Sequence, residues 1–401
     1  MSAKELYYDQ YSYEIDDNPY QIWKRLRDEA PVWYNEKYKY WVLSRYDDVL
    51  KASMDWKNFS SAWGTVLENM PENPGETTLM INNDPPYHDQ LRRVVAPRFF
   101  PAGVAKLETE IRNIVNSYLE PLQDRDAFDF VQDFGRWIPM DVISSLMGIP
   151  EEDRRNINQW ADDMLHREDG EESSGERAMA AVGAIHQYLH GVLADRKANP
   201  RDDFLTELAL AEIQLEDGSK RPFSERESFE FMLLIAAAGN ETVARLLGNT
   251  GVLLARHPEQ RQKLRDHPEL IPQAIDELLR YEPPSPVQFR RLLNDVEYHG
   301  VTMKAGDNVA LLTAAATRDD RHWDDPETFN IERPAKRHLT FGYGVHTCLG
   351  ASLARLESRI AIEEVLKRIG DWTVDESKLV RTRTSTVRGY SQVPVRVNRL
   401  G

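Results

Sequence analysis

The sequence predicts a mainly α-helical chain with a smaller β-rich region, forming one large domain over residues 1–401. Three observations carry this. From residue 88 to about 279, apolar residues recur at three- and four-residue spacing with few internal prolines, the period of helices that bury one face. Strand-like patterns follow that stretch and close the chain. No repeat, low-complexity tract or linker interrupts it, so nothing marks a domain boundary.

Taken in order, NPYQIWKRLRDEAPVW predicts a short helix entering a strand, and YWVLSRYDDVLKAS a strand followed by a helix. Residues 60–86 are rich in Pro, Gly and Asn and predict a long mobile loop, a feature that is usually functional in a compact domain. Pro258 in RHPEQ and Pro268 in DHPEL break helices. DVEYHGVTMKAGDNVALL predicts a hairpin turned at Lys304–Asp307. ASLARLESRIAIEEVLKRIG predicts a helix stopped by Gly370.

Composition excludes several classes of function. One cysteine in 401 residues rules out an internal disulfide and any multi-cysteine metal cluster, and it suits a reducing, cytoplasmic setting. Hydrophobic content of 41% with 29% charged residues fits a globular chain with a sizeable core. MSAKELYYDQYSYEIDDNPY has no apolar run of signal length, and no uncharged apolar stretch of about 18 residues occurs, so no membrane anchor is expected. A net charge of −16 argues against nucleic acid as a partner, because phosphate binding needs a basic face. A monomer is expected.

The single cysteine, Cys348, stands in FGYGVHTCLG among Gly342, Gly344 and Gly350. An isolated cysteine is commonly a small buried hydrophobe, but this setting suggests more. Glycines let a backbone approach a flat group closely. A helix opening at Ala351 offers free N–H groups and a dipole that stabilise a thiolate. A thiolate with room for a large planar partner is what haem iron requires of a sulfur ligand. The loop resembles the haem-binding loop of the cytochrome P450 family, Phe-Gly-x-Gly-x-(Arg or His)-x-Cys-x-Gly, matched at Phe341, Gly342, Gly344, His346, Cys348 and Gly350.

Three further stretches resemble signatures of the same family. In DELLRYEPP, Glu277 and Arg280 share a helical face; alone this would be a solvated ion pair, and the resemblance makes it a structural triad with Arg333. In FMLLIAAAGNETVARLLGNTGVLLARH, a helix from roughly Glu225 to Arg256 is apolar nearly all round, hence buried, and about 45 Å long at ~1.5 Å per residue. Gly239 and the polar run Asn240-Glu241-Thr242 are unusual there. The plain reading is a Thr242 hydroxyl bonded back to the Ala238 carbonyl. The resemblance instead gives the oxygen-activation motif at Ala238 to Thr242: Gly239 leaves space for dioxygen, Thr242 orients it, and Glu241 relays protons. In DPPYHDQLRRVVAPRFF, His88 and Arg92 lie four apart, and the resemblance makes them ligands of the haem propionates, joined by Arg290, His338 and His346. Arg290 rather than Arg291 is chosen by its spacing to Asp295.

The resemblance therefore implies a P450 fold, haem b with Cys348 as the iron's axial ligand, and a monooxygenase acting by hydroxylation or epoxidation. Dioxygen is its oxidant and a ferredoxin/ferredoxin reductase chain its electron source. Substrate-pocket candidates are Trp63, Val66, Leu67, Met70, Leu234, Ala238, Val287, Phe289 and Val387. No arginine pair stands among them, which favours a neutral lipophile such as a terpenoid or steroid. Arg92, Arg93, Arg98, Arg355 and Arg359 predict a ferredoxin docking face. One alternative is a peroxide-driven member of the family, against which Glu241-Thr242 counts. The other is a cysteine hydrolase using His346, which explains none of the other signatures.

Overall fold

The computed structural model describes residues 6–165, 176–384 and 386–398. Its centre is the helix Glu225–Arg256, 32 residues long. Ser224 starts it through a capping box, its hydroxyl accepting from the Glu227 N–H while the Glu227 carboxylate accepts from the Ser224 N–H. His257 and Pro258 end it, as the RHPEQ proline predicts. By length and composition this helix is apolar enough to cross a membrane, but 65% of its most apolar stretch is buried inside the molecule, as befits a central core helix. Helices Trp137–Met147, Glu176–Ala198, Ile271–Tyr281 and Ala351–Arg368 pack around it, and Leu246, Leu247, Val252 and Leu253 sit in the largest apolar cluster.

A five-stranded sheet flanks this helical body, in the order Val32–Asn35, Tyr40–Leu43, Asn308–Leu311, Gln288–Leu292, Phe59–Ser60. Asn308–Leu311 runs parallel to Tyr40–Leu43 and antiparallel to Gln288–Leu292, with Val309 opposite both Trp41 and Arg290. The predicted hairpin needs correcting here. Val296–Tyr298 pairs with Val301–Met303, turning at His299 and Gly300, both at positive φ. Lys304–Asp307 is a second turn, closed by Asp307 N–H to Lys304 O at 3.0 Å, and it carries the chain into the five-stranded sheet.

The loop over residues 60–86 contains two short 3₁₀ turns, Leu67–Asn69 and Met80–Asn82. Its ends are tied together, the Ser61 N–H donating to Asp84 Oδ1 at 2.9 Å. Its middle is moored to the long helix by the Thr78 N–H donating to Glu230 Oε2 at 2.8 Å.

Candidate active site

Residues 341–350 form the floor of the site. The Cys348 N–H donates to Phe341 O at 2.8 Å and the Gly342 N–H to Leu339 O at 2.8 Å, folding the loop on itself. Thr340 Oγ1 fastens it to helix Ile271–Tyr281 through Leu279 O at 2.9 Å. Gly344 has φ +74°, and a Cβ there would come within 2.5 Å of Ser53 O, so no larger residue fits against helix Tyr46–Met54. The Cys348 side chain is exposed, but to an internal cavity of about 290 Å³. Burial raises its pKa, while the Gly350 N–H, Arg92 and Arg355 act in the opposite direction.

The long helix forms the roof. Leu234, Ala238, Thr242 and Leu246, four apart, line the cavity, with Ile235, Gly239 and Val243 as the adjacent row. Leu353, Ala354 and Glu357 extend the floor from helix Ala351–Arg368. A Cβ at Gly239 would meet Ile143 at 2.9 Å rather than open space. The glycine therefore serves the crossing of the long helix with Trp137–Met147 while itself remaining on the cavity wall beside Ile143. Ala238 is the roof residue with exposed surface. Thr242 Oγ1 donates to Ala238 O at 3.1 Å, the local back-bond, while still standing on the cavity wall.

His88, Arg92, Arg290 and His346 make up the rim. The Arg290 guanidinium is buried and donates to Phe289 O at 2.6 Å; Arg92 Nη2 donates to Thr347 O at 2.7 Å. Neither forms an ion pair among the described residues. Burial lowers Arg290 to about 10. Burial also presses His346 down to about 2, with Arg290, His88 and Arg92 adding repulsion. The Nε2 atoms of His88 and His346 are buried with no hydrogen-bond partner. His88 Nδ1 is held by Asp89 Oδ1 at 2.8 Å, but the two guanidinium groups have no carboxylate among the described residues, where buried charges are normally paired. A planar group bearing two carboxylates would satisfy this rim, with Cys348 on the same cavity wall as its sulfur ligand. The residues present fit haem.

Several expected site residues stand elsewhere. His338 is not on the cavity wall; its Nε2 lies 3.3 Å from Asp276 Oδ1, a carboxylate shared with Arg355, and its Nδ1 is unpartnered. Glu241 faces away from the cavity, paired with Arg245 at 2.7 Å, and lines a separate polar cleft. Of the pocket candidates, Leu234 and Ala238 line the cavity. Val287 and Phe289 do not: they are buried in the cluster with Tyr40 and Trp23, while Gln288 and Arg290 of the same segment face the cavity, because strand side chains alternate. Leu67 and Met70 pack on that cluster as well. Trp63, Val66 and Val387 are not on the wall; the Val387 N–H instead donates to Thr384 Oγ1 at 2.9 Å.

The structure adds Met80, Ile81, Ile143, Phe231, Val243 and Glu357 to the cavity. The fourfold spacing of the roof was legible in the sequence; Ile143 was not, since its helix is apolar on nearly every side. The triad forms as expected and is buried: Arg280 lies 2.6 Å and Arg333 3.1 Å from Glu277.

A cysteine floor, an apolar roof carrying one hydroxyl and two rim arginines without carboxylate partners among the described residues, set in a mainly helical body, fit a haem-thiolate protein. The cytochrome P450 family model matches residues 171–387. Putative cytochrome P450 123 of Mycobacterium tuberculosis is 36% identical over 98% of this chain and 97% of its own length. Vitamin D(3) 25-hydroxylase of Pseudonocardia autotrophica is 34% identical over 97% of this chain and 96% of its own. The solved structure of polyketide synthase cytochrome P450 PksS from Bacillus subtilis matches with a TM-score of 0.86 and 31% identity, covering 98% and 100%. The chain belongs to the cytochrome P450 family, whose members bind haem b and act as monooxygenases.

Proposed function

We propose that this chain, as one domain over residues 1–401, oxygenates a neutral lipophile in the cytoplasm as a monomer, drawing electrons from a ferredoxin-type partner. The observation that carries the reading is that Cys348 and Thr242 line one cavity whose rim holds two arginines, Arg92 and Arg290, without carboxylate partners among the described residues. Haem bound there, ligated by the Cys348 thiolate, supplies dioxygen activation. Arg92, Arg290, His88 and His346 hold its carboxylates by charge-assisted hydrogen bonds. Leu234 and Ala238 of one row and Val243 of the next, with Ile143 and Phe231, exclude water and shape the substrate space. Thr242 holds a proton at Oγ1 and offers it into the cavity, and Glu241 replenishes it. The names of the relatives, one for vitamin D(3) and one for polyketide biosynthesis, support a lipophilic substrate of steroid, terpenoid or other lipid-like kind.

Thr242→Ala tests the central role. The variant should bind substrate, accept electrons and consume dioxygen, yet divert electrons to hydrogen peroxide. Misplacing a general acid costs typically ~10²–10⁴-fold, so product per reduced nicotinamide should fall by at least about tenfold even if waters compensate in part. Coupling equal to the parent leaves Thr242 as a back-bonded helix residue. One observation favours a second reading, a peroxide-driven peroxygenase: Glu241 is turned from the cavity and held by Arg245. Turnover with peroxide that exceeds turnover through a reconstituted ferredoxin chain would select it.

A further inference from the structure

Glu241 and Thr242 are neighbours in sequence, yet they face different spaces. Thr242 lines the cavity above Cys348. Glu241 lines a polar cleft of about 460 Å³ on the other side of the long helix, together with Asn240, Arg245, Arg381 and Thr382. Three of these offer unpartnered buried atoms, namely Asn240 Oδ1, Thr382 Oγ1 and Arg381 Nη1. Such atoms are normally satisfied by water. At that size, and with these polar side chains on its wall, the cleft has room and partners for water, and it ends at the Glu241 carboxylate.

Arg245 fixes that carboxylate. Its Nη2 donates to Glu241 Oε1 at 2.9 Å and Oε2 at 2.7 Å, its Nε to Oε2 at 2.9 Å, and its Nη1 to Tyr390 O at 2.6 Å. A Cβ at Gly389 would come within 2.7 Å of Arg245 Cβ, so the neighbouring strand accommodates the arginine only because position 389 has no side chain. An exposed pair at this spacing contributes about 0.3–0.5 kcal/mol. Here the side chains retain only 10% and 16% of their exposure, and a buried pair is weak evidence for stability in itself. Its geometry points to a different use.

We propose that Arg245 is a positioning residue for proton delivery, holding Glu241 at the inner end of the hydrated cleft, one residue from Thr242. The inference rests on the reading of Glu241 and Thr242 as a proton route. A proton from bulk solvent, relayed by water in the cleft that is itself reprotonated from solvent, reaches a Glu241 oxygen, which gives up a hydrogen bond to Arg245. Thr242 passes its hydroxyl proton into the cavity and recovers one from Glu241 across the turn. Glu241 returns to the carboxylate and re-pairs with Arg245, which stays charged throughout.

The test uses the haem-loaded protein with a reconstituted redox chain, comparing Arg245→Met, Arg245→Gln, Arg245→Lys, Glu241→Gln and the double variant Glu241→Gln/Arg245→Met. Arg245→Gln keeps a donor for Tyr390 O and serves if Arg245→Met does not fold. Product per reduced nicotinamide should fall about tenfold in the Met and Gln variants, the low end for a displaced acid, with peroxide rising in step. Arg245→Lys should recover most of it, and the double variant should equal Glu241→Gln. In resting protein without substrate, carbodiimide labelling of Glu241 read by mass spectrometry should rise several-fold when Arg245 is neutralised. Unchanged labelling, or unchanged coupling in Arg245→Met and Arg245→Gln beside a depressed Glu241→Gln, overturns the positioning role alone. A double variant markedly worse than Glu241→Gln shows that Arg245 acts through the strand instead. Normal coupling in Glu241→Gln removes the proton route itself, and the inference with it.

Discussion

Two clusters of buried arginines differ in one respect. Around Glu277, every cation has its acid: Arg280 and Arg333 clasp the carboxylate, and their remaining donors reach the Thr317, Pro326, Thr328 and Asp325 carbonyls. Around the cavity, Arg290 and Arg92 have no carboxylate partner among the described residues, and the one acid beside the two histidines, Asp89, is taken by His88 Nδ1 at 2.8 Å. The first cluster is complete within the polypeptide. The second is complete only with an anionic partner, and so marks where a cofactor is held. Equal burial carries opposite meanings, and partner identity decides between them.

The contrast can be broken most forcefully at Glu277. Glu277→Ala strands two buried guanidinium groups, and removing one partner of a buried pair costs about 3–5 kcal/mol. Urea unfolding should show that loss with and without haem, and little soluble protein should survive at 37 °C. Arg290→Met should behave in the reverse way. Replacing a desolvated cation by a hydrophobe of similar length is near neutral, so the unfolding midpoint without haem should barely move. A charge-assisted bond lost to the cofactor is worth about 1.5–3 kcal/mol, so haem transfer to apomyoglobin should quicken roughly ten- to a hundredfold. Equal unfolding losses in both variants would erase the distinction.

Glu357 sharpens the comparison from the acidic side. It is buried on the cavity floor, its Oε2 has no partner, and desolvation raises its pKa from 4.5 to about 8. With the folded value above the unfolded one, its contribution to stability is full below pH 4.5 and is lost as pH rises through 8. Glu357→Gln should therefore melt like the parent near pH 4.5 and several degrees higher at pH 8; a gain that shrinks with rising pH contradicts the assignment.

The smallest effect concerns the outer surface. Arg98 pairs with Glu207, Arg355 with Asp276, and Arg359 with Glu108 and Glu363, so the expected docking face is largely neutralised. Arg93 is exposed and has no carboxylate partner among the described residues. Arg93→Glu with Arg359→Glu should slow ferredoxin reduction a few-fold at low salt, with the difference vanishing as salt rises. Stopped-flow reduction rates that match the parent at low salt remove this face from the docking site.

What the sequence made legible follows from how tightly each residue is constrained. The cysteine loop could be read because nearly every position answers to a backbone or ligand demand, as Gly344 does against Ser53. Glu277, Arg280 and Arg333 could be read because their roles are mutual. The strand around Arg290 was misassigned although the signal was present: alternation forbids Phe289 and Arg290 from facing the same space. The pairing of Glu241 with Arg245 was also present, at the four-residue spacing of a helical ion pair. By contrast, the Ile143 contact that requires Gly239 depends on how two helices cross, and neither helix encodes that crossing locally.

Ligation of haem by the Cys348 sulfur is tested most directly by the reduced, carbon monoxide-bound absorption spectrum. The parent protein should show the long-wavelength Soret band of thiolate ligation, and Cys348→Ser should lose that band along with turnover. A parent that purifies without bound haem, or a Cys348→Ser variant with the same band, would contradict the assignment.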